Sequence, residues 1–159
     1  MKTPMMPLCT HYDLTDETDT ARLAGTLATL ARPGDVIALN GALGAGKSVL
    51  ARAFVRALCG AKTEVPSPTY TLVQSYDAPD FTIIHADLYR LQGPEEVEET
   101  GLCEHFDTAV TLIEWPQKLG PLMPPEHLQI DLQIKESGAR AARLCGFGRR
   151  WEARTGKAA

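Results

Sequence analysis

Apolar positions along the chain fall into two patterns, helix-spaced sets and short continuous runs. Thr15-Asp16-Glu17 opens a segment in which Leu23, Leu27 and Leu30 share one side, an amphipathic helix stopped by Pro33-Gly34. Asp35 to Leu39 is a short apolar run bounded by turn residues, which predicts a buried strand. A glycine-rich loop follows at once, and Val49 to Leu58 reads as a helix stopped by Gly60. Thr69 to Tyr76 and Phe81 to Leu88 flank Asp77-Ala78-Pro79-Asp80 as the arms of a hairpin. Pro94 to Phe106 begins with proline and carries four glutamates among its first six residues, which favours one helix. Ala109 to Ile113 is a second buried-strand run. Leu128 to Ile134 alternates and is expected to pair with Arg143 to Phe147. The sum is an α/β fold with a mixed, largely parallel central sheet and an antiparallel C-terminal hairpin.

Composition narrows the class. A chain of 159 residues, 44% apolar and 23% charged, is expected to form one domain, here residues 1–151. A formal charge of −4 disfavours a broad nucleic-acid grip. The charge is uneven: residues 139–159 hold Arg140, Arg143, Arg149, Arg150, Arg154 and Lys157 against Glu152 alone, a net +5 that leaves −9 elsewhere. Residues 152–159 are therefore expected to be a short basic tail, either simply solvated or a contact for a polyanion or acidic partner. Cys9, Cys59, Cys103 and Cys145 include no C-x-x-C pair, so zinc and dithiol redox chemistry lose support, and free thiols in a reducing cytosol are expected. The N-terminal stretch has no apolar run fit for a signal peptide, and no segment is long and apolar enough to span a membrane. A cytoplasmic protein without membrane contact is the expectation.

The chemistry is concentrated in Gly41-Ala42-Leu43-Gly44-Ala45-Gly46-Lys47-Ser48, which fits G-x-x-x-x-G-K-[ST] between a strand and a helix. Glycines let backbone N–H groups turn towards phosphates, and the following helix N-terminus adds partial positive charge. Lys47 is placed for the β- and γ-phosphates and the Ser48 hydroxyl for Mg²⁺. Nucleotide contacts are expected from Gly41, Leu43, Gly44, Ala45, Gly46, Lys47, Ser48 and Val49. A metal–nucleotide site also needs carboxylates at the carboxyl ends of neighbouring strands. Asp87 and Glu114 end two suitable runs, and sequence alone does not order their roles as metal ligand and water-steering group. Ser67-Pro68-Thr69 stands where a segment sensing the γ-phosphate is often found. Trp115 either edges the site or packs beside it, and His85 reads as a core histidine.

No N-K-x-D or T-K-x-D segment is present, which removes the guanine-reading element of regulatory GTPases. Between residues 57 and 138 the only arginine is Arg90, so an arginine-rich kinase lid is not expected. A stand-alone P-loop kinase remains the alternative. GALGAGKS, VPSPTYTLVQSY, HADLYRL, the EE-x-x-x-x-GL segment and LIEWPQKLG follow one another in the order and spacing of the TsaE (YjeE) family, which this chain resembles from about Thr15 to Trp151. The resemblance implies a three-layer P-loop NTPase-like fold and a weak Mg²⁺-dependent ATPase of tRNA threonylcarbamoyladenosine biosynthesis. Such a protein works with TsaB and TsaD, which modify adenosine 37 in tRNAs reading codons that begin with A, and it touches tRNA only through that complex. By motif, Lys47, Thr69, Asp87 and Glu114 would be catalytic, and Ser48, Glu114 and Asp87 would serve the metal. Ser67, Thr69 and Trp115 would form the switch and partner surface. Adenine contacts are fixed by no motif; Glu17 and the turn at Ser137-Gly138 are the candidate segments. Two departures are modest: Ser48 stands where the family commonly has Thr, and Ala42 where it commonly has Asp. The site is expected to be open on one side until a partner completes it.

Overall fold

The run predicted at 35–39 becomes the middle strand of a single sheet. The protein is described by a computed structural model over residues 7–155. Its strands are β1 (Leu8–Leu14), β2 (Val36–Gly41), β3 (Val73–Asp77), β4 (Thr82–Asp87), β5 (Val110–Glu114), β6 (His127–Ile134) and β7 (Arg140–Phe147). Its helices are α1 (Glu17–Leu30), α2 (Lys47–Cys59), α3 (Pro94–Glu99) and α4 (Arg149–Thr155). Sheet order is β1-β7-β6-β2-β5-β4-β3. The four strands from β6 to β4 pair in parallel, whereas β3, β7 and β1 are antiparallel to their neighbours.

Helices cover both faces, which makes three layers. On one face Leu23 and Leu27 of α1, Leu50 and Phe54 of α2 and Trp151 of α4 pack on Ile37, Leu39, Ile83, Leu112 and Ile130. On the other face Val97 of α3, Leu102 and Leu119 pack on Val36, Ile84, Ala86 and Ile113. Alternation along β4 and β5 thus sends odd and even positions to separate cores. Among the described residues no helix is long and apolar enough to cross a membrane.

Four expectations change. The strand β1 was not anticipated; its register on β7 sets Cys9 opposite Cys145, with Cα atoms 4.2 Å apart, and the two form a disulfide. Free thiols are therefore Cys59 and Cys103, and the thiol argument for a reducing compartment falls away. The single helix expected over 94–106 stops at Glu99, because Gly101 turns the chain through φ 76° and a 3-10 turn, Leu102–His105, follows. The basic end is not a tail from residue 152: α4 runs to Thr155, and residues 156–159 lie outside the described residues.

The basic end folds because a carboxylate waits for it 119 residues away. Asp35 is fully buried, and Arg154, 3% exposed, grips it with NH1 to Oδ2 at 2.7 Å and NH2 to Oδ1 at 2.8 Å. Arg150 adds a contact to Oδ1 at 3.0 Å, and the Arg32 amide donates to Oδ2 at 2.7 Å. Arg154 also donates to the Leu30 carbonyl and lies over the Trp151 ring, 4.0 Å from its centroid. Both ions are thus desolvated and held by each other in a bidentate pair, so losing one leaves the other buried and uncompensated. Asp35→Ala is expected to lower unfolding free energy by about 3–5 kcal/mol, whereas Arg150→Ala, at the exposed edge, costs about 1 kcal/mol or less. Urea titration followed by circular dichroism measures both.

Candidate functional site

The glycine-rich loop leaves β2 and enters α2, as the motif requires. Gly46 precedes α2 at φ 108° and Gly44 lies at φ 82°, backbone that side chains rarely adopt. Gly41 supports the loop from behind: a Cβ there would come within 2.7 Å of the Leu132 carbonyl. Lys47 is 5% exposed, and its ammonium donates to the carbonyls of Gly41 at 2.6 Å and Ala42 at 3.0 Å and lies over the Trp115 ring, 4.5 Å from its centroid. Burial lowers its pKa, opposed by the nearby charges of Glu114 and then Asp87.

Parallel pairing of β4 with β5 puts Asp87 directly beside Glu114. Both carboxylates are buried, and their partners differ. Glu114 Oε1 accepts from the Ser48 hydroxyl at 3.0 Å and Oε2 meets His85 Nε2 at 2.7 Å. Asp87 Oδ2 accepts from the Thr69 hydroxyl at 3.0 Å and Oδ1 from the Tyr89 amide at 3.0 Å. The Thr69 hydroxyl lies 2.7 Å from that of Ser67, so the segment 67–69 is tied to the end of β4.

A cavity of about 300 Å³ gathers these groups, lined by Leu43, Gly44, Gly46, Lys47, Ser48 and Val49 of the loop with Ser67, Thr69, Asp87, Glu114 and Trp115. Among the described residues, the non-glycine positions with left-handed backbone are Leu72, just past the 67–69 segment, and Trp115, just past Glu114. Trp115 lines this cavity, where strained backbone commonly serves a site, while Leu72 turns the chain into β3 outside it. Trp115 meets both the Lys47 ammonium and the Tyr89 ring, the two ring centroids being 4.9 Å apart.

A second cavity of about 250 Å³ shares Gly44, Gly46 and Val49 and adds Ala45, Glu17, Thr20, Gly138 and Arg140 over an apolar floor of Leu14 and Leu132. Glu17 and Gly138, remote in sequence, come together here. Gly41 and Ala45 do not line the first cavity; Gly41 acts through its carbonyl on Lys47, and Ala45 through the second cavity. Sequence reading missed two neighbours. Arg140 donates to the Gly44 carbonyl at 3.1 Å, so the loop does have an arginine of this chain against it. His85 is no mere core filler; lying two residues before Asp87 in a strand, it had to share that side chain's face.

The donor set decides what the site can hold. A buried ammonium, inward-turning glycine backbone and a helix start suit phosphate oxygens. One hydroxyl and one carboxylate within 3.0 Å of each other suit a hard cation that keeps most of its shell as water and phosphate, which is the habit of Mg²⁺. Among the described residues no group of three or more His, Cys, Asp or Glu gathers into an all-protein metal cage.

Comparison with known proteins agrees with this geometry. Residues 14–142 match the family model described as threonylcarbamoyl adenosine biosynthesis protein TsaE. The chain is 40% identical over 136 residues to the tRNA threonylcarbamoyladenosine biosynthesis protein TsaE of Rickettsia conorii, covering 86% of this chain and 76% of that one. It is 35% identical over 135 residues to the Bacillus subtilis protein of the same name, covering 84% of each. The crystal structure of Bacillus subtilis YdiB superimposes with a TM-score of 0.82 at 27% identity, over 97% of this chain and 96% of that one. The glycine-rich loop, the β3–β4 hairpin and both strand-end acids fall inside the span of the family model, and the chain belongs to the TsaE family of threonylcarbamoyl adenosine biosynthesis proteins.

Proposed function

We propose that this chain is a slow Mg²⁺-dependent ATPase that serves threonylcarbamoylation of adenosine 37 in tRNA, in the cytoplasm, through the TsaB and TsaD proteins. The observation that carries this reading is the meeting of Ser48, Glu114, Asp87 and Lys47 in one cavity at the carboxyl ends of parallel strands. The Rickettsia and Bacillus relatives carry the biosynthetic role in their names.

Roles follow from partners. The Lys47 ammonium is hydrogen-bonded only to carbonyls, with the Glu114 and Asp87 charges nearby but not bonded to it, so β- and γ-phosphate oxygens are its natural complement. Ser48 and Glu114 would hold Mg²⁺, which when bound neutralises phosphate charge. The Ser48 hydroxyl bonds Glu114 rather than Asp87; held by Thr69 and the Tyr89 amide, Asp87 is placed to orient water and to report on the 67–69 segment. The second cavity would take the adenine, with Glu17, Thr20, Gly138 and Arg140 at its edge. Leu43, which lines the first cavity, is strongly exposed, as are Tyr70, next to Thr69, and Tyr89, against Trp115; Arg90 lies against Tyr70. Such an apolar rim is suited to a protein surface, and TsaD–TsaB is the partner proposed to close it.

Three outcomes test this reading. Lys47→Ala should weaken Mg·ATP binding by roughly ten- to a hundredfold, the value of a charged hydrogen bond at about 1.5–3 kcal/mol; wild-type affinity by calorimetry would remove the loop from the site. Glu114→Gln should raise the Mg²⁺ needed for ATP binding, while Asp87→Asn should bind Mg·ATP nearly normally and hydrolyse it poorly. Magnesium titrations that leave both unchanged refute the assignment. Phosphate release by wild type should change several-fold when TsaB and TsaD are added, and Thr69→Ala or Trp115→Ala should lose that response while keeping ATP affinity. Equal wild-type rates with and without partners would show the site to be complete alone.

A further inference from the structure

We propose that His85 is a positioning residue for the magnesium site: its Nε2–H fixes the Glu114 carboxylate in the orientation that presents Oε1 beside the Ser48 hydroxyl. This rests on the reading of Ser48 and Glu114 as the Mg²⁺ pair. His85 is 1% exposed on β4 and Glu114 3% exposed on β5, so solvent does not compete for either. Nε2 lies 2.7 Å from Oε2, and among the described residues Nδ1 has no hydrogen-bond partner. A carboxylate oxygen accepts, so the hydrogen in this bond is assigned to Nε2.

The two oxygens of Glu114 are therefore divided. Oε2 is held from behind by the histidine, and Oε1 faces Ser48 at 3.0 Å. The alternative demands on this carboxylate are strong. Asp87 stands beside it in register, and the Lys47 ammonium is close enough to act on it electrostatically. Without the Nε2–H bond, Oε2 would be buried and unsatisfied, and the carboxylate would be free to turn from Ser48 towards the ammonium. Groups that hydrogen-bond a ligating carboxylate typically change metal affinity by 10–100-fold when removed. A histidine that merely fills space would not act through the metal at all.

The variants are chosen by reach. Glutamine carries its amide nitrogen the same number of bonds from Cα as Nε2, whereas asparagine places one where Nδ1 stands; leucine keeps bulk and removes the donor. Calorimetric ATP affinity is measured for each variant across a magnesium chloride titration and again with the metal chelated. His85→Leu and His85→Asn should need about 10–100-fold more Mg²⁺ for half-maximal ATP binding, with metal-free affinity close to wild type. His85→Gln should restore the Mg²⁺ requirement. An unchanged requirement in both the asparagine and leucine variants, an equal loss with and without metal, or failure of glutamine to restore it overturns the proposal. Should the leucine variant not fold, the glutamine–asparagine pair decides alone. Glu114→Gln separates the two levels: no effect there refutes the magnesium reading itself, while an effect there with none at His85 refutes only this inference.

Discussion

Two acids side by side in a dry place organise this molecule. Parallel pairing of β4 with β5 makes Asp87 and Glu114 neighbours at a strand spacing of about 4.8 Å. Like charges placed side by side in a buried site disfavour each other through their repulsion. Four kinds of group oppose it: the ammonium of Lys47, the imidazole of His85, the hydroxyls of Ser48 and Thr69, and the amide of Tyr89. They come from the loop–α2 junction, the 67–69 segment, β4 and the turn after it, so all of these are drawn to the same point. A divalent cation is the remaining complement such a cluster would accept.

The antiparallel side of the sheet does a different job. β6, β7 and β1 carry no loop of this kind, yet their ends place Leu132, Gly138, Arg140 and Leu14 against the phosphate loop to make the second cavity. Rigidity there comes from the Cys9–Cys145 link between β1 and β7 and from α4, whose Arg154 is locked on Asp35 at the entrance to β2. The strand that feeds the loop is therefore anchored at its start by one buried ion pair and flanked on both sides by parallel partners. A loop that must hold its amides in place needs such a base.

Local signals were legible in sequence where local physics decides. The loop could be placed between strand and helix because its glycines and the apolar run before it are contiguous. The acids could be found because they end apolar runs, and the hairpins because turn residues mark them. What stayed hidden is long-range. Arg154 and Asp35 are 119 residues apart, and a basic end reads as solvated until its carboxylate is known. Cysteine pairing depends on strand register, which spacing does not give. The strand β1, Leu-Cys-Thr-His-Tyr-Asp-Leu, mixes polar and apolar side chains at an edge and shows no clean period. His85 was recoverable: alternation from Asp87 places it on the acids' face, and only the habit of treating a strand histidine as filler set it aside.

The contrast between the two acids also sets how strongly the 67–69 segment can govern the site. Glu114 is held by His85, a buried side chain on the neighbouring strand, and by Ser48, at the start of a helix with a large core face. Asp87 is held on one side by Thr69, whose neighbours Ser67 and Tyr70 are exposed. A hydrogen bond from a hydroxyl to a carboxylate contributes about 1.5–3 kcal/mol, which equals a coupling of roughly ten- to a hundredfold. A partner that moves Thr69 could therefore change the state of Asp87 by that much and no more through this bond, while the hydrogen-bond partners of Glu114 stay in place. On the proposed reading, metal retention and hydrolysis are separately controlled, because the chain gives the metal-holding acid buried partners and the water-orienting acid a half-buried one set in an exposed segment.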